Sequence, residues 1–96
     1  SQFFYMTKES LYVTGPKFNQ STLDSSHEVA VIDDDLPGDF ALHIIVEKGG
    51  KFFITGDVDT LLNESIHLSP DKSKPIQDNS SLMLFNGIQI NFSIIK

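Results

Sequence analysis

The side chains most able to do chemistry in this chain are carboxylates. Asp33, Asp34 and Asp35 are consecutive, Asp39 follows shortly after, and Asp57 and Asp59 flank Val58. Clustered carboxylates are what a hard divalent cation binds, and they are also common in exposed loops that hold no ligand. The second run begins like a calcium-binding loop, which needs Gly at its sixth position and a bidentate Glu at its twelfth. Counted from Asp57, those positions hold Leu62 and Leu68. The motif fails, and the acidic triplet with Asp39 reads as a solvated turn.

Histidine and serine point no further toward catalysis. His27, His43 and His67 are spread along the chain without ligand-like spacing. His43 lies between Leu42 and Ile44, a setting where a hydrogen-bonded structural imidazole is commoner than a base or a ligand. Serine is plentiful, yet there is no G-x-S-x-G elbow, and local context suggests no Ser-His-Asp arrangement. No glycine-rich phosphate loop is present. Cysteine is absent, which removes thiolate nucleophiles, disulfides and Cys-type zinc sites together. N-x-S triplets begin at Asn19, Asn63, Asn79 and Asn91, as chance would produce in a chain this rich in Asn and Ser. Neither catalysis nor a cofactor or metal is expected.

Charge excludes whole classes of partner. The chain has 13 acidic residues against seven Lys, a net charge of −6, and no Arg. Nucleic acids and anionic membranes call for a clustered basic face, with Arg above all for bidentate phosphate contacts. The seven Lys are scattered instead. No nucleic-acid partner is expected. No apolar run is long enough to span a membrane, and the first residues lack the basic flank and apolar stretch of a signal peptide. Direct membrane insertion by residues 1–96 is therefore not expected.

The elements that must position these residues have period two. From Phe40 to Glu47, Phe40, Leu42, Ile44 and Val46 share one face, with Ala41, His43, Ile45 and Glu47 on the other. Ile88, Ile90, Phe92 and Ile94 likewise oppose Gln89, Asn91 and Ser93. Gly49-Gly50 and Asn86-Gly87 supply the positive φ angles of a type I′ hairpin turn. Short β-type runs cover Phe3–Met6, Leu11–Thr14 and Val29–Ile32. Lys17–His27 and Ser69–Ser81 read as polar loops, and Leu61–Leu68 as a broken strand or a short helical turn. No segment keeps helical spacing over ten or more residues. The pattern predicts one all-β domain over residues 1–96, an antiparallel β-sandwich. Its expected core contains Leu42, Ile44, Phe52, Ile54, Leu84, Ile90 and Phe92. At this length about 60–65% of the unfolded chain's surface is buried on folding.

From Glu28 to Ile95 the order of features resembles the forkhead-associated (FHA) family, an eleven-strand β-sandwich whose members usually bind phosphothreonine. The residues that carry the likeness are Val29–Ile32, the acidic turn and His43-Ile44-Ile45-Val46. They continue through the glycine hairpin with Phe52-Phe53-Ile54, the run Thr60-Leu61-Leu62-Asn63, and the closing strand-turn-strand unit from Leu82 to Ile94. The departures matter as much. The family's ligand-binding Arg has no counterpart, Phe40 stands where the family has a Ser before the His, and Val58-Asp59 replaces its Asn-Gly. Each loss removes a donor for a phosphate or a peptide backbone. The apical loops carry Asp33, Asp34, Asp35, Asp39, Asp57 and Asp59 instead, which would repel a phosphate dianion.

An FHA fold stripped of its phosphate ligands is similar to the cytoplasmic N-terminal domain of the inner-membrane ring protein of bacterial type III secretion injectisomes. The resemblance implies a scaffold on the cytoplasmic side of the inner membrane, part of a longer membrane protein that forms rings through other domains. It implies protein partners among the cytoplasmic secretion components and an isolated domain that is monomeric. The charge of the apical loops adds the expectation that docking is partly through Asp33, Asp34, Asp35, Asp39, Asp57 and Asp59. Two alternatives are a phosphothreonine-reading signalling module, which the missing Arg disfavours, and an extracellular adhesion sandwich, which the Asn- and Ser-rich loops would suit.

Overall fold

Alternation along Ala41–Glu47 produces strand β3, with Leu42 and Ile44 buried and Ala41, His43 and Ile45 on the opposite face. The structure, a computed structural model, describes residues 4–33, 35–56, 59–84 and 87–94. After β3 the chain reverses through Lys48, Gly49 and Gly50 and returns as β4, Lys51–Thr55. Gly49 and Gly50 take φ values of 99° and 78°, as the Gly-Gly pair suggests. However, Glu47 pairs with Lys51, so the loop has three residues rather than the two of a type I′ turn.

Ahead of this hairpin lie β1, Ser10–Thr14, and β2, Glu28–Val31. Behind it come β5 (Leu61–Leu62), β6 (Ile66–His67), β7 (Lys74–Ile76), β8 (Ser81–Met83) and β9 (Gln89–Asn91). They form a five-stranded sheet ordered β2-β1-β3-β4-β7 and a four-stranded sheet ordered β6-β5-β8-β9. Leu11, Val13, Leu42, Ile44, Ile54 and Ile76 from the first sheet meet Leu62, Leu82 and Leu84 from the second. The chain is an all-β sandwich. Among the described residues all strand pairs are antiparallel except β1 with β2, which run parallel through a crossover over residues 15–27. Nine strands fall among the described residues, against the eleven of the family resembled.

Several expectations need correction. Residues 4–6 of the predicted Phe3–Met6 run lie outside any strand, with Phe4 and Tyr5 exposed, while Phe3 is outside the described residues. A run of β-forming residues does not by itself make a strand when no edge pairs with it. Of the two readings of Leu61–Leu68, the broken strand is the one that forms: β5 returns as β6, with Asn63 and Glu64 at positive φ. The helical turn that does form is a 3-10 turn at Gln20–Thr22, capped by the Asn19 side chain accepting from the Ser21 N–H.

The predicted Ser69–Ser81 loop contains β7, which pairs with β4 and buries Ile76. Pro75 hides it from propensity reasoning, yet an edge strand is where proline is tolerated within a sheet. Of the expected core, Leu42, Ile44, Ile54 and Leu84 are buried. Phe52, Ile90 and Phe92 pack against that cluster but are only half-buried. Ile90 sits on edge strand β9 and Phe92 just beyond it, so among the described residues one flank of each has no neighbouring strand. Phe92→Ala is accordingly expected to cost about 2 kcal/mol in urea unfolding, below the 3–5 kcal/mol typical of a fully buried Phe. In the last hairpin Phe85, Asn86 and Ile95 are outside the described residues. Gly87 has φ 87°, and Leu84 N–H donates to the Ile88 carbonyl at 2.8 Å.

Candidate functional site

Strand register places the acidic loops together. Thr14 pairs with both Val31 and Ala41, and His43 pairs with Thr55, so β1, β2 and β4 end where β3 begins. The loops that follow β2 and β4 therefore share one end of the five-stranded sheet. Leu36, 1% exposed, anchors the first loop. It lies so close to Gly15 that a β-carbon there would come within 2.7 Å of its own Cβ. Around this anchor Asp33, Asp35 and Asp39 are exposed, as is Asp59 in the other loop. Asp34 and Asp57 lie outside the described residues.

This end is less uniformly negative than the sequence suggests. Lys17 Nζ donates to Asp35 Oδ1 at 2.8 Å. That hydrogen bond first, and the paired charge second, raise the lysine's pKa and lower the aspartate's. Both groups are well exposed, so the pair adds little stability. The segment before β7 reaches the same end, because Ile54 pairs with Lys74 and Gly56 N–H donates to the Ser69 carbonyl. It adds Asp71 and Lys72, both exposed. Acidic side chains still outnumber lysines there. Among the described residues no group of three or more His, Asp or Glu converges as a metal site would require.

Of the positions where the FHA resemblance lacks its ligand donors, Phe40 is turned inward and Asp59 is exposed, while Val58 lies outside the described residues. Phe40 is 6% exposed and belongs to the core. Thr60 is fully buried. Asn63 is used structurally: its N–H donates to the Ser81 carbonyl, and its side-chain oxygen accepts from the Ser81 N–H, extending the β5–β8 ladder by one residue.

A second cluster, on the outer face of the five-stranded sheet, was not visible in the sequence. Val46 N–H donates to the Glu9 carbonyl, and antiparallel pairs alternate between bonded and non-bonded. Tyr12 and His43 are thus a non-bonded pair, whose side chains approach most closely. Their rings stack at 4.2 Å with only 4° between planes. From the crossover, Phe18 stacks over Tyr12 at 6.5 Å and His27 meets its edge at 5.3 Å. Ser10 Oγ lies 2.7 Å from His43 Nε2 and 2.7 Å from His27 Nδ1. On its other side, His27 Nε2 is 3.6 Å from Asp24 Oδ1. Hydrogen bonds from the Ser26 hydroxyl first, and then from its N–H, hold the Asp24 carboxyl below the usual range.

No family model, no curated protein and no solved structure matches this chain. The sites must be read from their own chemistry. Asp24, His27 and Ser10 follow one another in the order of a hydrolase triad, although the sequence suggested no such arrangement, but the imidazole is reversed, with Nδ1 toward the serine and Nε2 toward the aspartate. A nucleophilic serine also needs space at Oγ for a carbonyl carbon, and donors aimed at the developing oxyanion. Here a second imidazole occupies the other side of Oγ, and Ser10 is only 9% exposed. The arrangement ties a loop to a sheet. Period two had already put His43 on the face opposite Leu42 and Ile44, and that was the one available signal. The meeting of residues 10, 24, 27 and 43 depends on the parallel crossover, which has no local signature.

Proposed function

We propose that this chain is a non-catalytic protein-interaction domain of the FHA type, serving as the cytoplasmic scaffold domain of a type III secretion inner-membrane ring protein. Its partners are cytoplasmic components of the secretion apparatus, docked in part at the acidic end. Support comes from the order of features between Glu28 and Ile95, from the sandwich architecture, and from Phe40 and Thr60 being withdrawn into the interior. The observation that carries the reading is the gathering of exposed Asp33, Asp35, Asp39, Asp59 and Asp71 at one end of the five-stranded sheet. Such an end steers a basic partner and raises its association rate more than it deepens affinity.

The test is a pull-down from the cytosol of secretion-competent bacteria, comparing wild type with an Asp35→Lys/Asp39→Lys domain. Both residues are exposed, so the fold should be retained, which circular dichroism checks. The reversal is expected to lower recovery of secretion components by at least several-fold and to flatten its dependence on salt. Unchanged recovery would remove the acidic end from the docking surface, and failure to recover any secretion component with wild type would remove the scaffold reading.

A further inference from the structure

The hydrogen bonds around Ser10 count protons. A hydroxyl carries one hydrogen and two lone pairs. With neutral imidazoles it accepts from one and donates to the other, and both 2.7 Å contacts are satisfied. With a single proton added they remain satisfied: a cationic His27 donates from Nδ1 to Oγ, faces the Asp24 carboxylate through Nε2, and leaves His43 Nε2 to accept the Ser10 proton. A second proton leaves both imidazoles donating to the two Ser10 lone pairs and strains the scheme. The Ser10 hydrogen would then lose its acceptor, and two cations would face each other with ring centroids 6.1 Å apart.

We propose that the chain Asp24–His27–Ser10–His43 is a proton-operated latch. It holds the β1–β2 crossover against the outer face of the five-stranded sheet at neutral pH and releases it when both imidazoles are charged. Release frees Phe18 from Tyr12 and uncovers the sheet face that carries Ser10, Tyr12 and His43. The proposal does not depend on the identity of the docking partner.

The surrounding charges leave the imidazoles as the groups that respond. From the crossover, Asp24 faces His27, and from the segment before β1, Lys8 Nζ donates to the Ser25 carbonyl at 2.6 Å and also favours the Asp24 anion. From β2, Glu28 accepts from the Thr7 N–H at 2.7 Å and from the Lys8 N–H. Burial pushes its carboxyl up, but these bonds outweigh that and hold it low. Both carboxylates thus stay charged at mildly acidic pH. From β1, Tyr12 covers one face of His43, and from β4 the residue paired with His43 is Thr55, which is uncharged. Burial first, and His27 second, lower the pKa of His43. An imidazole whose folded pKa lies below its unfolded value stabilises the fold fully above that unfolded value, about 6.5. That contribution is lost as the pH falls through the folded value.

Hydrogen exchange read by mass spectrometry, corrected for the intrinsic pH dependence of exchange, tests the latch at about pH 7.5 and about pH 5, either side of the ordinary imidazole range. Peptides covering residues 15–27 should exchange at least about fivefold faster at the lower pH, the least factor expected from leaving one buried donor without an acceptor. Peptides of β3 and β4 should change little. Equal protection of the crossover at both pH values in the wild type would overturn the proposal without any variant. In His43→Gln, which presents a polar atom but takes no proton, the acceleration should vanish, and its persistence would also overturn the latch. His67→Gln, on β6 in the other sheet, should leave the acceleration intact; its loss there would assign the response to a different group.

Discussion

Leu42→Ala is expected to lower the unfolding free energy by about 3 kcal/mol, within the 2–5 kcal/mol range for truncating a buried leucine. Leu42 is fully buried, in the second position of β3, where it pairs with Val13 and faces the Leu62–Leu82–Leu84 side of the core. Its surroundings are held by two flanking strands, so the cavity has little means of collapsing. A domain of this size has about 5–15 kcal/mol in total, so the midpoint of urea unfolding should move far enough to read without ambiguity. A loss below about 1 kcal/mol would mean that the face assignment of β3 is wrong, since a slip of one residue exchanges Leu42 for His43.

Gly56 provides the second large effect, and its cause is the same leucine. One step past the His43–Thr55 pair, Gly56 lies opposite Leu42, and it is buried. A β-carbon there would lie 2.5 Å from Leu42 Cδ2 and 3.0 Å from Leu68 Cδ1. The backbone at Gly56 is outside the positive-φ region, so the objection to a side chain is steric alone. Gly56→Ala should therefore cost about 1–3 kcal/mol through overpacking. In the Leu42→Ala background the added methyl enters the vacated space. The double variant should then be more stable than the sum of the single losses predicts, by an amount in the range of about 0.5–3 kcal/mol seen for directly contacting residues. Strict additivity in the urea-unfolding cycle would show that the two sites do not share that space.

The six aspartates illustrate how far one-dimensional reading extends toward a site. Asp33, Asp35 and Asp39 could be assigned to a loop from composition, and the register shows that their loop and that of Asp59 occupy one end. The lysine that pairs with Asp35 comes from the crossover, and Asp71 and Lys72 come from the segment before β7. Neither connection was legible, because each depends on which strands become neighbours. The imidazole cluster was further out of reach. His27 and His43 have no spacing that marks them as partners, and the hydroxyl that joins them comes from a third segment.

Alternation by itself determined the class of fold and the facing of its strands: Leu42, Ile44 and Ile54 inward, with Ala41, His43 and Ile45 outward. It also placed the β3–β4 reversal, because only glycine readily accepts the φ values found at residues 49 and 50. Those are local properties, set by where each Cβ points and by which dihedrals a residue tolerates. The tertiary structure alone decided that β2 runs parallel to β1, that a proline-containing segment closes the sheet edge beside β4, and that Ser10 is held between two histidines. Each of these is a long-range pairing, in which free energy depends on which edges and faces are left to cover once the hairpins have formed. A pattern that repeats every two residues carries no record of that.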